Sequence, residues 1–413
     1  MTTFFMLLLY ALALPYVGLM LLAVAGLMRR SEEPSSDARP SVSVIIPAHN
    51  EEEHLAGTLA SLWAQDYPGE AEFIIVDDRS TDRTADVVRD AAARDPRIRL
   101  IQVTEPDRRR APKVNAVQHG IEASSGEIIV TSDADCRYPQ GWLEGMVSHF
   151  VPGVTMVVGY VETTRRNAAR NFLERFETID WFSLMIVSRS LTRFGWKFAS
   201  SANNQAYRRD AFEAAGGFGA IGRAPSGDED LLTQRLGRLP GARIVFASRP
   251  ETRVLTHPIT SWPALFEQRR RWVSRYHHPM HYHPAFLTGI ALLGFQSIAL
   301  AASLFMLPFM PSLAPWVLPL WLLEVAIMLW GVGWGARQLD RHDLVGPSLL
   351  AWALIHPFFI GSVVIASLLR SGEWRAGAAP YRRLWLQRRL RETRRRFRRV
   401  VVSLFGNDAT GSK

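Results

Sequence analysis

Apolar residues are spread very unevenly along this chain. Thr3 to Met28 is almost wholly apolar and closes on Arg29 and Arg30, and three further apolar runs fill Ala285 to Met310, Ala314 to Gly335 and Val345 to Leu369. Each is long enough to cross a hydrocarbon core, which predicts an integral membrane protein with one N-terminal helix and a C-terminal group. The first run lacks a charged segment ahead of it and its basic residues follow it, so it reads as a retained anchor rather than a cleaved leader. Between the hydrophobic ends the period shortens. Val42 to Ile46 is a predicted strand closed by Pro47, and a helical pattern runs from Asn50 to about Gln65. Phe73 to Val76, Ile98 to Val103 and Ile128 to Ser132 are further strands, separated by helices ending near Ala93 and over Val114 to Ile121. Strands alternating with helices imply parallel pairing through crossovers, hence a doubly wound α/β sheet.

Ligands bind such sheets beyond the carboxyl ends of the strands, and acidic residues collect at those ends here. Asp77 and Asp78 follow the second strand, and Asp133 and Asp135 follow the Ile128 to Ser132 strand at i, i+2 spacing. A period of 2 puts the latter two on one side of the chain, within reach of one cation, and hard ions such as Mg²⁺ or Mn²⁺ prefer carboxylate oxygen. A solvated turn is the plain alternative for a single Asp-x-Asp. The position after the first strand holds Ala48-His49-Asn50-Glu51 rather than a glycine-rich dinucleotide loop, and no Walker-type Gly-Lys-Ser/Thr run occurs. A crevice lined with carboxylates needs a metal to hold a pyrophosphate.

The net charge of +9 does not point to nucleic acid, because Tyr381 to Arg399 carries most of the excess. Its arginines are interleaved with Leu386, Leu390 and Phe397 at helical spacing, the pattern of a helix lying on an anionic cytoplasmic leaflet. The single cysteine, Cys136, excludes an internal disulfide and fits a reducing compartment. Beside the acidic pair it reads as a packing residue.

Taken in order, Val44-Ile45-Ile46-Pro47-Ala48-His49-Asn50-Glu51, Val76-Asp77-Asp78-Arg79-Ser80-Thr81-Asp82, Lys113 with Asn115, Asp133-Ala134-Asp135, Glu229-Asp230 and Gln268-Arg269-Arg270-Arg271-Trp272 resemble the family 2 glycosyltransferases of GT-A fold. The resemblance covers about Val42 to Tyr276. It implies an inverting transferase that uses a nucleotide-activated sugar, UDP-linked, with Mg²⁺ or Mn²⁺. It further implies that Ala48, Glu51 and Asp78 line the base and ribose site, that Lys113 lies near the nucleotide, and that Asp133 and Asp135 manage metal and diphosphate. Asp230, beside Glu229, is the implied catalytic base. Capping of the helix that begins with Leu231-Leu232 is the structural alternative for these acids.

Trp262 to His277 is predicted as one helix on which Gln268, Arg271 and Trp272 share a face. Arg271 suits a diphosphate and Trp272 a sugar or acceptor ring, and an amphipathic helix resting on headgroups is the plainer reading. His277, His278, His281 and His283 read as interfacial rather than as metal ligands.

The resulting division is an anchor over residues 1–30, a linker over 31–40, a GT-A domain over 41–262, an interfacial helix over 263–284, transmembrane helices over 285–370 and a basic tail over 371–413. One anchor plus three spans would put that tail opposite a cytoplasmic transferase domain, against the positive-inside rule. One segment is therefore expected to be re-entrant, interfacial or miscounted. Ala285 to Trp316 is the candidate, because Pro308, Pro311 and Pro315 interrupt its end.

The expected enzyme sits in the plasma (inner) membrane and transfers sugar to a lipid. A processive polysaccharide synthase is the nearest alternative, and an inactive membrane scaffold a third. In the processive relatives a small residue and glycine usually follow the tryptophan, whereas Val273-Ser274-Arg275 stands here.

Overall fold

The computed structural model describes residues 2–29, 33–105, 107, 110–163, 171–223, 227–275 and 282–369. His277, His278, His281 and the basic tail lie outside the described residues. After α1 (Thr2–Met28) come β1 (Val42–Ala48), α2 (Glu52–Trp63), β2 (Ala71–Asp78), α3 (Thr84–Ala92), β3 (Ile98–Val103), α4 (Pro112–Glu122) and β4 (Ile128–Thr131). These match the predicted alternation to within a few residues. The second half adds α5 (Trp142–Val147), β5 (Val154–Gly159), β6 (Val161–Thr163), α6 (Phe172–Arg193), β7 (Gln205–Arg208), α7 (Arg209–Ala214), α8 (Asp228–Leu236), β8 (Arg243–Ala247), β9 (Val254–Thr256) and α9 (Trp262–Ser274).

The main sheet has seven strands in the order β3-β2-β1-β4-β7-β5-β8. All neighbours are parallel except at β7, which runs antiparallel to both β4 and β5. The sequence pattern predicted a parallel sheet, and the mixed one arises because β7 enters from α6 and a loop in the opposite sense. Side chains alternate between two cores: Val44, Ile46, Ile75 and Val130 face one side, and Ile45, Ile74, Val76 and Ile129 the other. Helix α4 presses so closely on the second face that a methyl group at Gly120 would sit 2.4 Å from Ile45 Cγ2. Because β1 connects to β2 on one side and lies beside β4 on the other, the strand order reverses at β1/β4 and opens a crevice at their carboxyl ends.

Helices α10 (Pro284–Met306), α11 (Ala314–Gln338) and α12 (Pro347–Leu369) complete the described chain. With α1 they give four helices long and apolar enough to cross a membrane. Ala285 to Trp316 is not a broken segment: α10 is continuous to Met306, and Pro308, Pro311 and Pro315 sit in the turn and the first residues of α11. Proline is tolerated at those places because the first helical N–H groups have no intrahelical acceptor.

Helices α1 and α11 run side by side in the same direction. Tyr10 Oη donates to the Trp316 carbonyl at 3.0 Å near one end, and Val24 lies against Gly331 towards the other. Midway, buried Gln296 on α10 donates to Glu324 on α11 at 2.7 Å.

The apolar helices and the sheet belong to one compact unit spanning residues 1–370. Arg193 of α6 and Gln338 of α11 donate to the Leu27 carbonyl at 2.7 and 2.6 Å, satisfying the end of α1. Arg341, just past α11, donates to Tyr160 Oη at 2.8 Å and pairs with Glu162 at 3.3 Å.

Candidate active site

Two short loops form one wall of the crevice. The register sets Ala48, at the end of β1, opposite Asp77 at the end of β2. Beyond it Asn50 adopts φ +56°, a left-handed conformation that asparagine tolerates, and turns back onto the second loop. Its backbone N–H donates to Ser80 Oγ at 3.0 Å and its Oδ1 accepts from the Thr81 N–H at 2.8 Å. The Glu51 N–H donates to Thr84 Oγ1 at 2.8 Å.

Arg79, also left-handed at φ +58°, folds its guanidinium onto buried Asp78 through a fork of 2.8 and 3.1 Å bonds. A non-glycine residue held there stores strain that the surrounding bonds must offset. Ala48, Glu51 and Asp78, predicted to line a nucleotide site, thus stand on one cross-linked surface.

Asp133 and Asp135 lie in the turn after β4, so the turn rather than the strand pleat brings them together. Lys113, from the first turn of α4, bonds Asp133 at 2.5 Å. Burial works against its ammonium, but Asp133 and Asp228 outweigh that and hold its pKa above the ordinary lysine value. Burial, reinforced by Asp133, pushes the Asp135 carboxyl up.

Two half-buried carboxylates, the first of which raises the pKa of the second, form a site whose electrostatics call for a cation, and the oxygen donors suit a hard divalent ion. His257, just after β9, is close enough to Asp135 for its charge to act on it, and its ring lies 4.5 Å from that of His54. Among the described residues no three such side chains converge at ligand spacing. The oxygen donors of Asp133 and Asp135 fit a hard divalent ion, with His257 as a neighbour that sequence reasoning passed over.

The first turn of α8 carries Asp228, Glu229 and Asp230, and its N-cap, Gly227, is left-handed at φ +86°. Successive side chains on a helix diverge by about 100°, so the three acids face different ways. Arg275, at the end of α9, bonds Glu229 at 2.7 Å and lies 3.4 Å from Asp230, which also accepts from the Ser200 N–H at 3.2 Å. Burial opposes the Glu229 anion, yet Arg275 keeps its pKa below the ordinary value. Asp230 is raised by burial despite Arg275.

Asp228 faces elsewhere. Burial and then Glu229 push it up to about 7, Lys113 opposes that shift, and Asp133 adds to it, so Asp228 lies within electrostatic range of both. Sequence reasoning singled out Asp230 and Glu229 and passed over Asp228, Arg275 and the Ser200 loop. The polar run Ser200-Ser201-Ala202-Asn203-Asn204 was the available signal.

On α9, Gln268, Arg271 and Trp272 are half-buried. Gln268 Oε1 accepts a short hydrogen bond from Arg269, and the Trp272 ring lies 5.4 Å from Trp181 of α6.

Residues 43–216 match the family model described as Glycosyl transferase family 2. A stretch of 131 residues is 33% identical to an N-acetylglucosaminyltransferase of Bradyrhizobium elkanii, covering 31% of this chain and 70% of that protein. The chain belongs to glycosyl transferase family 2. It is 31% identical over 178 residues to an undecaprenyl-phosphate 4-deoxy-4-formamido-L-arabinose transferase of Pectobacterium carotovorum, covering 42% of this chain and 50% of that one. Against most curated relatives the chain spans about half of their length.

Among solved structures, the mannosyltransferase PcManGT from Pyrobaculum calidifontis in complex with GDP-Man and Mn²⁺ shares the fold at TM-score 0.57. It is 21% identical, and the match covers 88% of this chain and 99% of that one.

Proposed function

We propose that this protein is an inverting glycosyltransferase that moves a sugar from a nucleotide-sugar, UDP-linked, to a lipid acceptor in the membrane. The observation that carries the reading is the meeting, at the carboxyl ends of β1, β2 and β4, of Asp133, Asp135 and Lys113 with the buried acids of α8, inside the same compact unit as four membrane-length helices. The relative that acts on undecaprenyl phosphate, by its name, supports a lipid acceptor. In this reading the transferase domain lies on the cytoplasmic side of the plasma (inner) membrane.

Asp78 and Glu51, with the backbone at Ala48, hold the base and ribose. Lys113 neutralises charge beside the diphosphate, and Asp133 and Asp135 hold Mg²⁺ or Mn²⁺. When bound, the ion stabilises negative charge on the departing nucleoside diphosphate as a Lewis acid. A single displacement needs a base on the opposite face of the sugar, aligned with the acceptor hydroxyl. Asp228 suits that task better than Asp230. Burial raises both carboxyls to about 7, so either anion is basic; Asp228 lies within electrostatic range of Lys113 and Asp133, whereas Asp230 is engaged by Ser200 and Arg275. Gln268, Arg271 and Trp272 form the acceptor side.

The test incubates membranes carrying the protein with radiolabelled UDP- and GDP-sugars, then separates organic-soluble lipid from high-mass polymer and free sugar. Label in the lipid fraction from a UDP-sugar, abolished by EDTA, is the expected result. Label in polymer would install the processive reading, label from a GDP-sugar would change the donor, and no turnover of any donor would leave the inactive scaffold.

A further inference from the structure

Arg269 lies inside the Gln-x-x-Arg-Trp run, about 100° round the helix from Gln268. It is 4% exposed, and its Nε donates at 2.7 Å to Asp180 of α6, itself 3% exposed. From there it reaches two residues of the acceptor motif. Its Nη1 donates to Gln268 Oε1, and its guanidinium lies 4.3 Å from the centre of the Trp272 ring, within cation–π range. Asp180 reaches in turn to α12, where Trp352 Nε1 stands 3.5 Å and His356 Nε2 4.0 Å from its Oδ1. One buried ion pair therefore touches the motif helix, the amphipathic α6 and an apolar helix of membrane length.

Accepting the transferase reading above, we propose that Asp180 and Arg269 are positioning residues for the acceptor: they fix the orientation of Gln268 and Trp272 and lock it to α12. Stability alone is a poor account of the pair. A buried ion pair loses solvation on both partners, and apolar side chains of similar volume often serve the fold as well. This pair is also incompletely satisfied. Arg269 Nη2 is buried with no hydrogen-bond partner among the described residues, and the Trp352 contact is at the long limit of a hydrogen bond. What the pair supplies is direction. A planar guanidinium offers donors at fixed angles, so anchoring Nε leaves Nη1 and the ring face aimed at Gln268 and Trp272.

The double variant Asp180→Leu/Arg269→Met and the single variant Arg269→Lys test this in membranes whose parent protein labels lipid. The readouts are the thermal melt of the detergent-solubilised protein and the ratio of lipid-linked label to free sugar released from the same donor. The double variant should melt within a few degrees of the parent while that ratio falls about tenfold, as misplacing a reactant does. Arg269→Lys keeps the charge without the fork, so it should lower the ratio as well, and Asp180→Asn, which keeps an acceptor oxygen for Nε, should restore part of it.

An unchanged ratio in either folded Arg269 variant would overturn the proposal. So would failure of both Arg269 variants to fold, which would assign the pair to stability. A parent that labels no lipid would instead overturn the transferase reading, so the two failures are distinct.

Discussion

The two walls of the crevice are built in opposite ways. The wall proposed for the nucleotide is local: two strand-to-helix loops, 48–52 and 77–84, tied by bonds between backbone N–H groups and short side chains such as Asn50, Ser80 and Thr84. The wall proposed for the acceptor is assembled from distant parts of the chain. Long arginines bridge α9 to α8 and α9 to α6, and α6 carries the link on to α12. Short bonded loops give a fixed platform that owes little to the membrane helices. A wall held by buried ion pairs takes its geometry from the whole assembly, so a change in α12 is expected to be felt at Trp272.

Variants on the two walls should differ in the size and the kind of their effects. The largest effect is expected where the walls meet: Asp135→Ala should lower turnover about a thousandfold or more, in line with loss of a charge-stabilising group. The melt should hardly move, because the residue sits in a turn beyond β4. A folded Asp135→Ala protein with more than a tenth of parental activity would remove the residue from the site.

Next come Asp228→Asn and Asp230→Asn, assayed side by side. Loss of a general base costs roughly a hundredfold to ten-thousandfold, and the larger loss is expected at Asp228. A base works only as the anion. Since burial pushes the Asp228 and Asp230 carboxyls both up to about 7, the parental rate should fall as pH drops through that value whichever of the two is the base. An ordinary aspartate would lose activity only near about pH 4. A profile flat between those two values would return the role to a carboxylate of ordinary pKa.

On the nucleotide wall, Asp78→Ala removes the anion that anchors Arg79 and should raise the donor KM about tenfold, or ~1.4 kcal/mol. The partition between lipid product and free sugar should stay as it was. A changed partition would show that the walls are coupled after all. The smallest effect is predicted for Asn50→Ala, which loses the bond to Thr81 and places alanine at φ +56°. Its cost should be about 1–3 kcal/mol of stability, measured by denaturant unfolding.

What the sequence disclosed follows the same division. The alternation from Val42 to Thr131 was legible because each strand is a short β-branched run closed by turn formers, and the acids at its ends followed directly. Strand β7 was not, since antiparallel entry depends on where α6 delivers the chain. The resemblance pointed to Asp230, and Asp228 two positions earlier was passed over because its nearness in charge to Lys113 depends on the fold. Arg275 stood in plain view after Trp272 but lacked meaning without Glu229 beside it. Arg269 and Asp180 are 89 positions apart and carry no shared motif. Proline positions misled: Pro308, Pro311 and Pro315 suggested a broken span where they mark a turn between two whole helices.

The apolar segment that ends in α11 runs from Pro311 to Gln338, 28 residues. At 1.5 Å per residue that is about 42 Å if helical throughout, against roughly 30 Å of hydrocarbon. In a bilayer, about a third of its length must tilt or stand clear of the lipid. Its end is tied to α1 and α6 through Gln338, and the next residues to the β5–β6 link and β6 through Arg341. The helix is thus a pillar of set height, and the sheet cannot slide along its axis without breaking those ties.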